Sequence, residues 1–206
     1  MEIYLIRHTI PKIEKGVCYG FSDLELADSY NEELQTLSEK MLQLLHKKKS
    51  KNKEQKELLI YTSPLQRCSI LAKDLKTALK DYFHSIIKTD KNLKEMNFGD
   101  WELQKWSDIK EKELKKWTDN FVTAFTPNGE SFENLHERVT HFWQTNIKSE
   151  KGKIAFIICH GGVIRSILCH ALEIPLYKAF SISIDYGSIC KLKVFETHTQ
   201  VEFTNR

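Results

Sequence analysis

The chain has 206 residues, a formal net charge of +3, 41% hydrophobic residues and 29% charged ones, the balance of an ordinary water-soluble globular protein long enough to bury a substantial core. So small a charge gives no case for a nucleic-acid partner, and no apolar run approaches the ~20 residues that cross a bilayer. The five cysteines are odd in number and show no CxxC pair, which argues against a disulfide framework and a zinc knuckle.

Taken in chain order, the first strand is expected at 2–7, where Ile3-Tyr4-Leu5-Ile6 runs into Arg7-His8-Thr9. Because Met1-Glu2 leads straight into this strand, no signal peptide is visible and the cytoplasm is the expected compartment. Leu34, Leu37, Met41, Leu44 and Leu45 then recur at helix spacing. The basic run from His46 to Lys56, with Lys47-Lys48-Lys49 inside it, reads as a solvated helix end and loop rather than a nucleic-acid patch. A second strand is expected at 58–62, followed by Thr62-Ser63-Pro64-Leu65-Gln66-Arg67 and a helical stripe of Leu65, Cys68, Leu71, Ala72, Leu75 and Leu79, with Pro64 in the first turn. A third strand is expected at 85–89.

Residues 93–127 differ in character, with Phe98, Trp101, Trp106, Trp117, Phe121 and Phe125 set among many charges. They read as an inserted helical cap over the strand ends, or as surface helices with buried aromatics. Ser131 is a suitable N-cap for a stripe of Leu135, Val139, Phe142 and Trp143. The strand expected at 154–159 leads into Cys159-His160-Gly161-Gly162 and a helix from Val163 to about Leu172. A last long strand is expected at 188–195, with a possible short partner at 199–203. Short apolar strands alternating with helices imply an α/β fold: a three-layer sandwich with a largely parallel central sheet, helices on both faces, and one domain over 1–206 that carries 93–127 as its cap.

Four segments that follow probable strands carry chemistry-bearing side chains: Arg7-His8-Thr9, Thr62 to Arg67, Leu93 to Glu102, and Cys159 to Gly162. Ligands of open α/β sheets sit at the carboxyl ends of the strands, so all four can share one rim. Together they resemble the histidine phosphatase superfamily, with its phosphoglycerate mutase-like fold. Its pattern is Arg-His after the first strand, Ser-Pro-x-x-Arg at a helix start, an acidic residue in an insertion, and a second His-Gly. The resemblance covers nearly the whole chain and implies a phosphoric monoester hydrolase working through a phosphohistidine.

The residue types suit that chemistry. Arg7 and Arg67 present planar forks to the oxygens of a dianionic phosphomonoester and stay cationic throughout, so neither metal nor cofactor is expected. His160 can donate to the same oxygens. His8 is the expected nucleophile, with one ring nitrogen free and the other N–H held by an acceptor such as a backbone carbonyl. Glu95 is the expected general acid and then base, with Glu102 and Glu130 as alternatives.

Lys15-Gly16-Val17-Cys18-Tyr19-Gly20-Phe21-Ser22-Asp23-Leu24-Glu25-Leu26 is similar to a stretch of the α-ribazole phosphatases, as are Phe98 to Glu102, Pro127 to Ser131 and Asp185-Tyr186-Gly187-Ser188. This implies α-ribazole 5′-phosphate, an intermediate of cobalamin nucleotide-loop assembly, as substrate, with Gly20 and Ser22 as candidate substrate contacts. The alternative for this stretch is a surface loop anchored by Leu24 and Leu26. Thr9-Ile10-Pro11 stands where many superfamily members carry Gly-Glu, and no second basic cluster is evident, which speaks against a phosphoglycerate mutase. A broad-specificity phosphatase, a mutase-type enzyme and a non-catalytic phosphoester-binding protein are the alternatives.

Cys159 to Arg165 also satisfies Cys-x5-Arg, the loop of cysteine-dependent phosphatases, but that leaves Arg7-His8 and Ser63-Pro64-x-x-Arg67 unexplained. His136-Glu137 with His141 is one residue too long for HExxH, so its histidines miss a shared helix face. The small-molecule ester is the only partner expected; the sequence does not fix the oligomeric state.

Overall fold

The computed structural model describes residues 1–46, 56–147 and 153–206; most of the lysine-rich run expected as a helix end and loop therefore lies outside the described residues. One six-stranded sheet organises the molecule, in the order β3-β2-β4-β1-β5-β6. The strands are β1 Glu2–Arg7, β2 Lys56–Thr62, β3 Phe83–Thr89, β4 Ile154–Cys159, β5 Ile189–Val194 and β6 Thr199–Phe203. β3, β2, β4 and β1 are mutually parallel, while β5 runs antiparallel to both β1 and β6.

The side-chain period of two divides the strand residues between two cores. Ile3, Leu5, Leu59, Tyr61, Ala155 and Ile157 join a cluster with residues of α4 (Phe132–Phe142) and α5 (Gly161–Leu172). Their neighbours Tyr4, Ile6, Leu58, Ile60, Phe156 and Ile158 meet α1 (Tyr30–His46) and α2 (Gln66–Ala78) on the other face. Every residue of β4 is buried, as befits a central strand covered on both sides.

Segment 93–127 contains two 3-10 turns, Gly99–Trp101 and Trp106–Asp108, and the short helix α3, Glu111–Asp119. Its aromatics pack on one another: Trp117 lies 5.9 Å from Trp101, 6.0 Å from Phe98 and 6.1 Å from Trp106, ring centre to ring centre. Trp101 and Trp117 belong to the same core cluster as α4 and α5, so the segment is anchored in the main core; Phe125 stays exposed.

Two helix starts shape the site. Ser131 caps α4 through a reciprocal box, its hydroxyl accepting the Asn134 amide while the Asn134 side chain takes the Ser131 amide. Pro64 does not occupy the first turn of α2. Leu65 is the extended N-cap and Pro64 precedes it, because the capping contact comes from a distant loop: the Asp23 carboxylate accepts the Gln66 amide at 2.7 Å.

Candidate active site

Parallel β1, β4 and β2 end on the same edge of the sheet. Arg7 pairs with Cys159 and Thr62 with Ile158, so the next residues, His8, His160 and Ser63, are brought side by side. The His8 and His160 rings meet edge to face with centres 5.0 Å apart, and His160 Nε2 lies 2.9 Å from the Ser63 hydroxyl. His8, Ser63, Arg67 and His160 are all buried, with at most 1% of their surface exposed.

His8 Nδ1 is 2.7 Å from the Thr9 carbonyl oxygen. A carbonyl only accepts, so Nδ1 carries the proton and Nε2 keeps its lone pair. Burial, then the charges of Arg67 and Arg7, hold the His8 pKa well below the ordinary histidine value, against a smaller opposing effect of the Thr9 bond. His160 is lowered for the same leading reasons, burial and then Arg67, with His8, Arg138 and Arg7 adding to them. Both rings are therefore neutral near pH 7.

The two arginines are aimed by backbone carbonyls. Arg67 donates from Nη1 to Ser22 at 2.8 Å and from Nη2 to Gly20 at 2.7 Å; Arg7 donates from Nη1 to Ile184 at 2.7 Å. Each retains a buried Nε–H with no acceptor among the described residues. Gly20 and Ser22 thus meet Arg67 through their carbonyls, and the Ser22 hydroxyl is taken by Glu102. A side chain at Gly20 would collide with the Met96 carbonyl.

The three candidate carboxylates have different surroundings. Glu102 accepts the amides of Phe21 at 2.8 Å, Ser22 at 2.6 Å and Phe98 at 3.0 Å, pinning the 20–22 loop to the 93–127 segment. Glu130 pairs with Arg138 at 2.6 Å, and Arg138 reaches on to the carbonyls of Asn92, Lys94 and Glu95. Glu95 comes to the start of α5, accepting the Gly162 amide at 3.1 Å and its neighbour's, Met96, at 2.9 Å. A Cβ at Gly162 would overlap Glu95, so the second glycine is what lets the carboxylate approach His160, the N-cap of α5.

Cys159 is fully buried, and burial pushes its thiol well above the usual cysteine pKa, with Cys68 and Glu95 adding to the shift. Arg165 is partly buried rather than a free surface charge; its Nε donates to the Ile182 carbonyl at 3.0 Å. Among the described residues no three His, Cys, Asp or Glu side chains come together to hold a metal ion, and no helix is long and apolar enough to cross a membrane.

Sequence reasoning missed Tyr19 and Tyr186 as site residues, although it quoted both segments. The Arg7 guanidinium carbon lies 3.8 Å from the centre of the Tyr186 ring and that of Arg67 lies 5.3 Å from Tyr19; the two hydroxyls are hydrogen-bonded to each other. Burial and the Tyr186 hydroxyl raise the Tyr19 pKa far above the tyrosine norm, so it stays protonated. The structural roles of Ser63, Asp23 and Arg138 were also missed. Nothing in their local sequence signals these contacts, whose partners lie far along the chain.

The pattern of the histidine phosphatase superfamily (branch 1) matches residues 3–206. Among curated proteins, the chain is 28% identical over its whole length, and 95% of the relative's, to a candidate phosphoserine phosphatase, phosphoserine phosphatase 2, of Hydrogenobacter thermophilus. It is 24% identical to the adenosylcobalamin/α-ribazole phosphatase of Escherichia coli over 46% of this chain and 48% of that one. Among solved structures, a candidate α-ribazole-5′-P phosphatase of Escherichia coli superposes with a TM-score of 0.82, at 22% identity, over 100% of this chain and 96% of that one; at this identity the likeness is one of fold.

Proposed function

Because the chain belongs to the histidine phosphatase superfamily, branch 1, we propose that it is a metal-independent phosphomonoesterase acting through a phosphohistidine on His8. The observation that carries this is the buried, neutral His8 ring with Nε2 free, set beside two guanidinium groups whose buried Nε–H groups lack acceptors among the described residues. A phosphoryl group meets both needs: its oxygens accept from Arg7 and Arg67, and its phosphorus faces a lone pair.

In the first step a P–N bond forms to His8 Nε2 as the ester P–O bond breaks, and the leaving oxygen takes a proton from Glu95. In the second, Glu95 recovers a proton from water as that water attacks phosphorus. The P–N bond breaks and inorganic phosphate departs. His160 donates to an equatorial oxygen as charge grows there. Glu95 suits the acid–base role better than Glu102 or Glu130, because those two carboxylates hold the 20–22 loop and Arg138 in place.

The proposed substrate is α-ribazole 5′-phosphate, which would place the enzyme in cobalamin nucleotide-loop assembly, in the cytoplasm. The resemblance of Lys15 to Leu26 and the aromatic mouth of the site support this reading. One observation favours a second reading, an acidic ester such as phosphoserine: among the described residues Arg165 donates from Nε alone, and a Cβ on Gly161 would meet both its Nη1, at 3.0 Å, and the Arg7 Nε, at 3.5 Å. Two neighbouring guanidinium groups suit a substrate with a second anionic group.

The test has two parts. Labelled ester with chelator present is expected to leave an acid-labile, base-stable phosphoenzyme on wild type and none on His8→Ala. The values of kcat/KM for α-ribazole 5′-phosphate, phosphoserine, 3-phosphoglycerate and p-nitrophenyl phosphate then separate the substrates. A clear preference for the first supports the proposal, one for phosphoserine replaces it, and equal slow rates leave a generalist.

A further inference from the structure

We infer that Tyr19 and Tyr186 are specificity-determining residues, two aromatic jaws that part to take the planar base of a sugar phosphate while the phosphoryl group rests on Arg7 and Arg67. The inference rests on the phosphomonoesterase reading above and assigns its leaving-group subsite.

Each ring lies against a different phosphate-binding arginine, and Tyr186 also packs on His8, ring centres 5.6 Å apart. The hydroxyls join across the gap between two loops that are 167 residues apart in sequence. The rings therefore flank the two guanidinium groups that would hold the phosphoryl group, next to the nucleophile.

Both jaws stand on loops held by hydrogen bonds. Tyr19 precedes the 20–22 loop that Glu102 and Arg67 hold. Tyr186 is 38% exposed and precedes Gly187, whose φ of +64° belongs to the left-handed region. Its loop is tied back by the Gly187 amide on the His8 carbonyl at 3.2 Å and by Asp185 with Asn205 at 2.6 and 2.9 Å, so opening falls to the Tyr186 side chain rather than to its backbone. Parting the hydroxyls exchanges their mutual hydrogen bond for water, and the entering base replaces the ring contacts that Tyr186 makes with Arg7 and His8.

What enters between the rings must offer a flat face and little charge. Aromatic faces prefer offset or edge contacts with another ring, and one such contact is worth up to about tenfold in affinity. A bare sugar or a small carboxylic acid gains little from either tyrosine. The geometry thus selects an aromatic base carried on a short sugar phosphate.

The experiment measures phosphate release from α-ribazole 5′-phosphate and from ribose 5-phosphate, which keeps the sugar phosphate and lacks the base. Tyr19→Leu and Tyr186→Leu are compared with wild type and with the Phe variants. The expected result is a wild-type preference for the base-bearing ester that falls about tenfold in each Leu variant, through KM, and survives in the Phe variants. Because both rings also lie against Arg7 and Arg67, the readout is the ratio of kcat/KM for the two esters, which should fall about tenfold whatever loss the two esters share. An undiminished preference in the Leu variants, with both esters still turned over, overturns the inference and leaves the phosphatase reading standing. Equal losses on both esters also overturn it, since the tyrosines would then serve only to hold Arg7 and Arg67. If wild type releases phosphate from neither ester, the substrate reading beneath the inference fails, and the inference with it.

Discussion

The floor of the site and its mouth are built by different means. The floor, with His8, Ser63, Arg67 and His160, grows from strand ends and a helix start and has almost no exposed surface. The mouth, with Tyr19, Phe21, Glu95 and Tyr186, stands on loops held by distant partners such as Glu102 with Ser22 and Arg138 with the Glu95 carbonyl. In the first set, sheet register fixes His8, Ser63 and His160, while Arg67 at the start of α2 is aimed by the carbonyls of Gly20 and Ser22. The second depends on side-chain bonds between segments far apart in sequence. The chemistry common to a family therefore belongs on the floor, and the choice of ester in the mouth.

The strongest challenge to this division is at the proposed nucleophile. His8→Ala is expected to lower kcat by at least about 10⁴-fold on every ester, since on the proposed mechanism it removes the group that forms the covalent intermediate. Stopped assays and phosphoenzyme trapping check it. A variant that kept a tenth of the activity would show that the floor does not contain the reacting atom.

Glu95→Gln sharpens the boundary, because Glu95 reaches the floor from the mouth. Its loss should cost about 10²–10³-fold with an alkyl ester, whose leaving alkoxide needs a proton, and far less with p-nitrophenyl phosphate. Equal losses on both would mean that the carboxylate only organises the Gly162 amide at the start of α5.

Arg138→Met tests how the mouth is held. The Arg138–Glu130 pair is mostly shielded, and removing one member of such a pair leaves the other charge without compensation, at a cost of about 3 kcal/mol. Urea unfolding measures the loss of stability. Because three carbonyls on the approach to Glu95 lose their donor, kcat should fall as well, while a double variant Arg138→Met with Glu130→Met relieves the unpaired charge and recovers only part of the stability and none of the rate.

The floor was legible in the sequence for the reason that makes it rigid. Ile3 to Ile6 and Ile154 to Ile158 are apolar runs, and the residues that end them lie at strand ends by necessity. All six strands and four of the helices announced themselves through period and capping. The mouth was not legible, because the contacts that shape it carry no local pattern. Glu102 reads in sequence as an alternative acid, and only the fold shows that it accepts the Phe21 and Ser22 amides; nothing local marks the contacts of Arg138 on α4. Pro64 shows the same limit: its local rule pointed to the first turn, and a carboxylate 43 residues away in sequence set the helix start instead.

The buried histidines give the floor a pH signature that the exposed mouth lacks. His8 and His160 are both held well below the ordinary value of 6.5 in the folded chain. Below about pH 6.5 the unfolded chain therefore binds protons that the folded one does not, and stability, fully present above that pH, falls as pH is lowered by up to about 1.4 kcal/mol per pH unit for each histidine. Urea unfolding at pH 7.5, 6.5 and 5.5 should show the decline, and His8→Asn should remove one histidine's share of it. An unchanged slope in that variant would mean that His8 is not held neutral.

The smallest expected effect is the most pointed test of the floor. Cys159 lies at the end of β4 between strand and helix, where a thiolate nucleophile would stand if Cys-x5-Arg were the working motif. Its thiol is fully buried, and burial together with Cys68 and Glu95 keeps it neutral far above pH 7. A neutral buried thiol is a packing group rather than a nucleophile, so Cys159→Ala should change kcat/KM by less than about threefold. Arg165, the arginine of that motif, spends its Nε on the Ile182 carbonyl. If Cys159→Ala instead matched the loss seen for His8→Ala, the reacting atom would be a sulfur and Arg7 would need another explanation. If it does not, the thiolate chemistry that the same strand end could offer is removed, and the proposal of His8 as nucleophile stands without that rival.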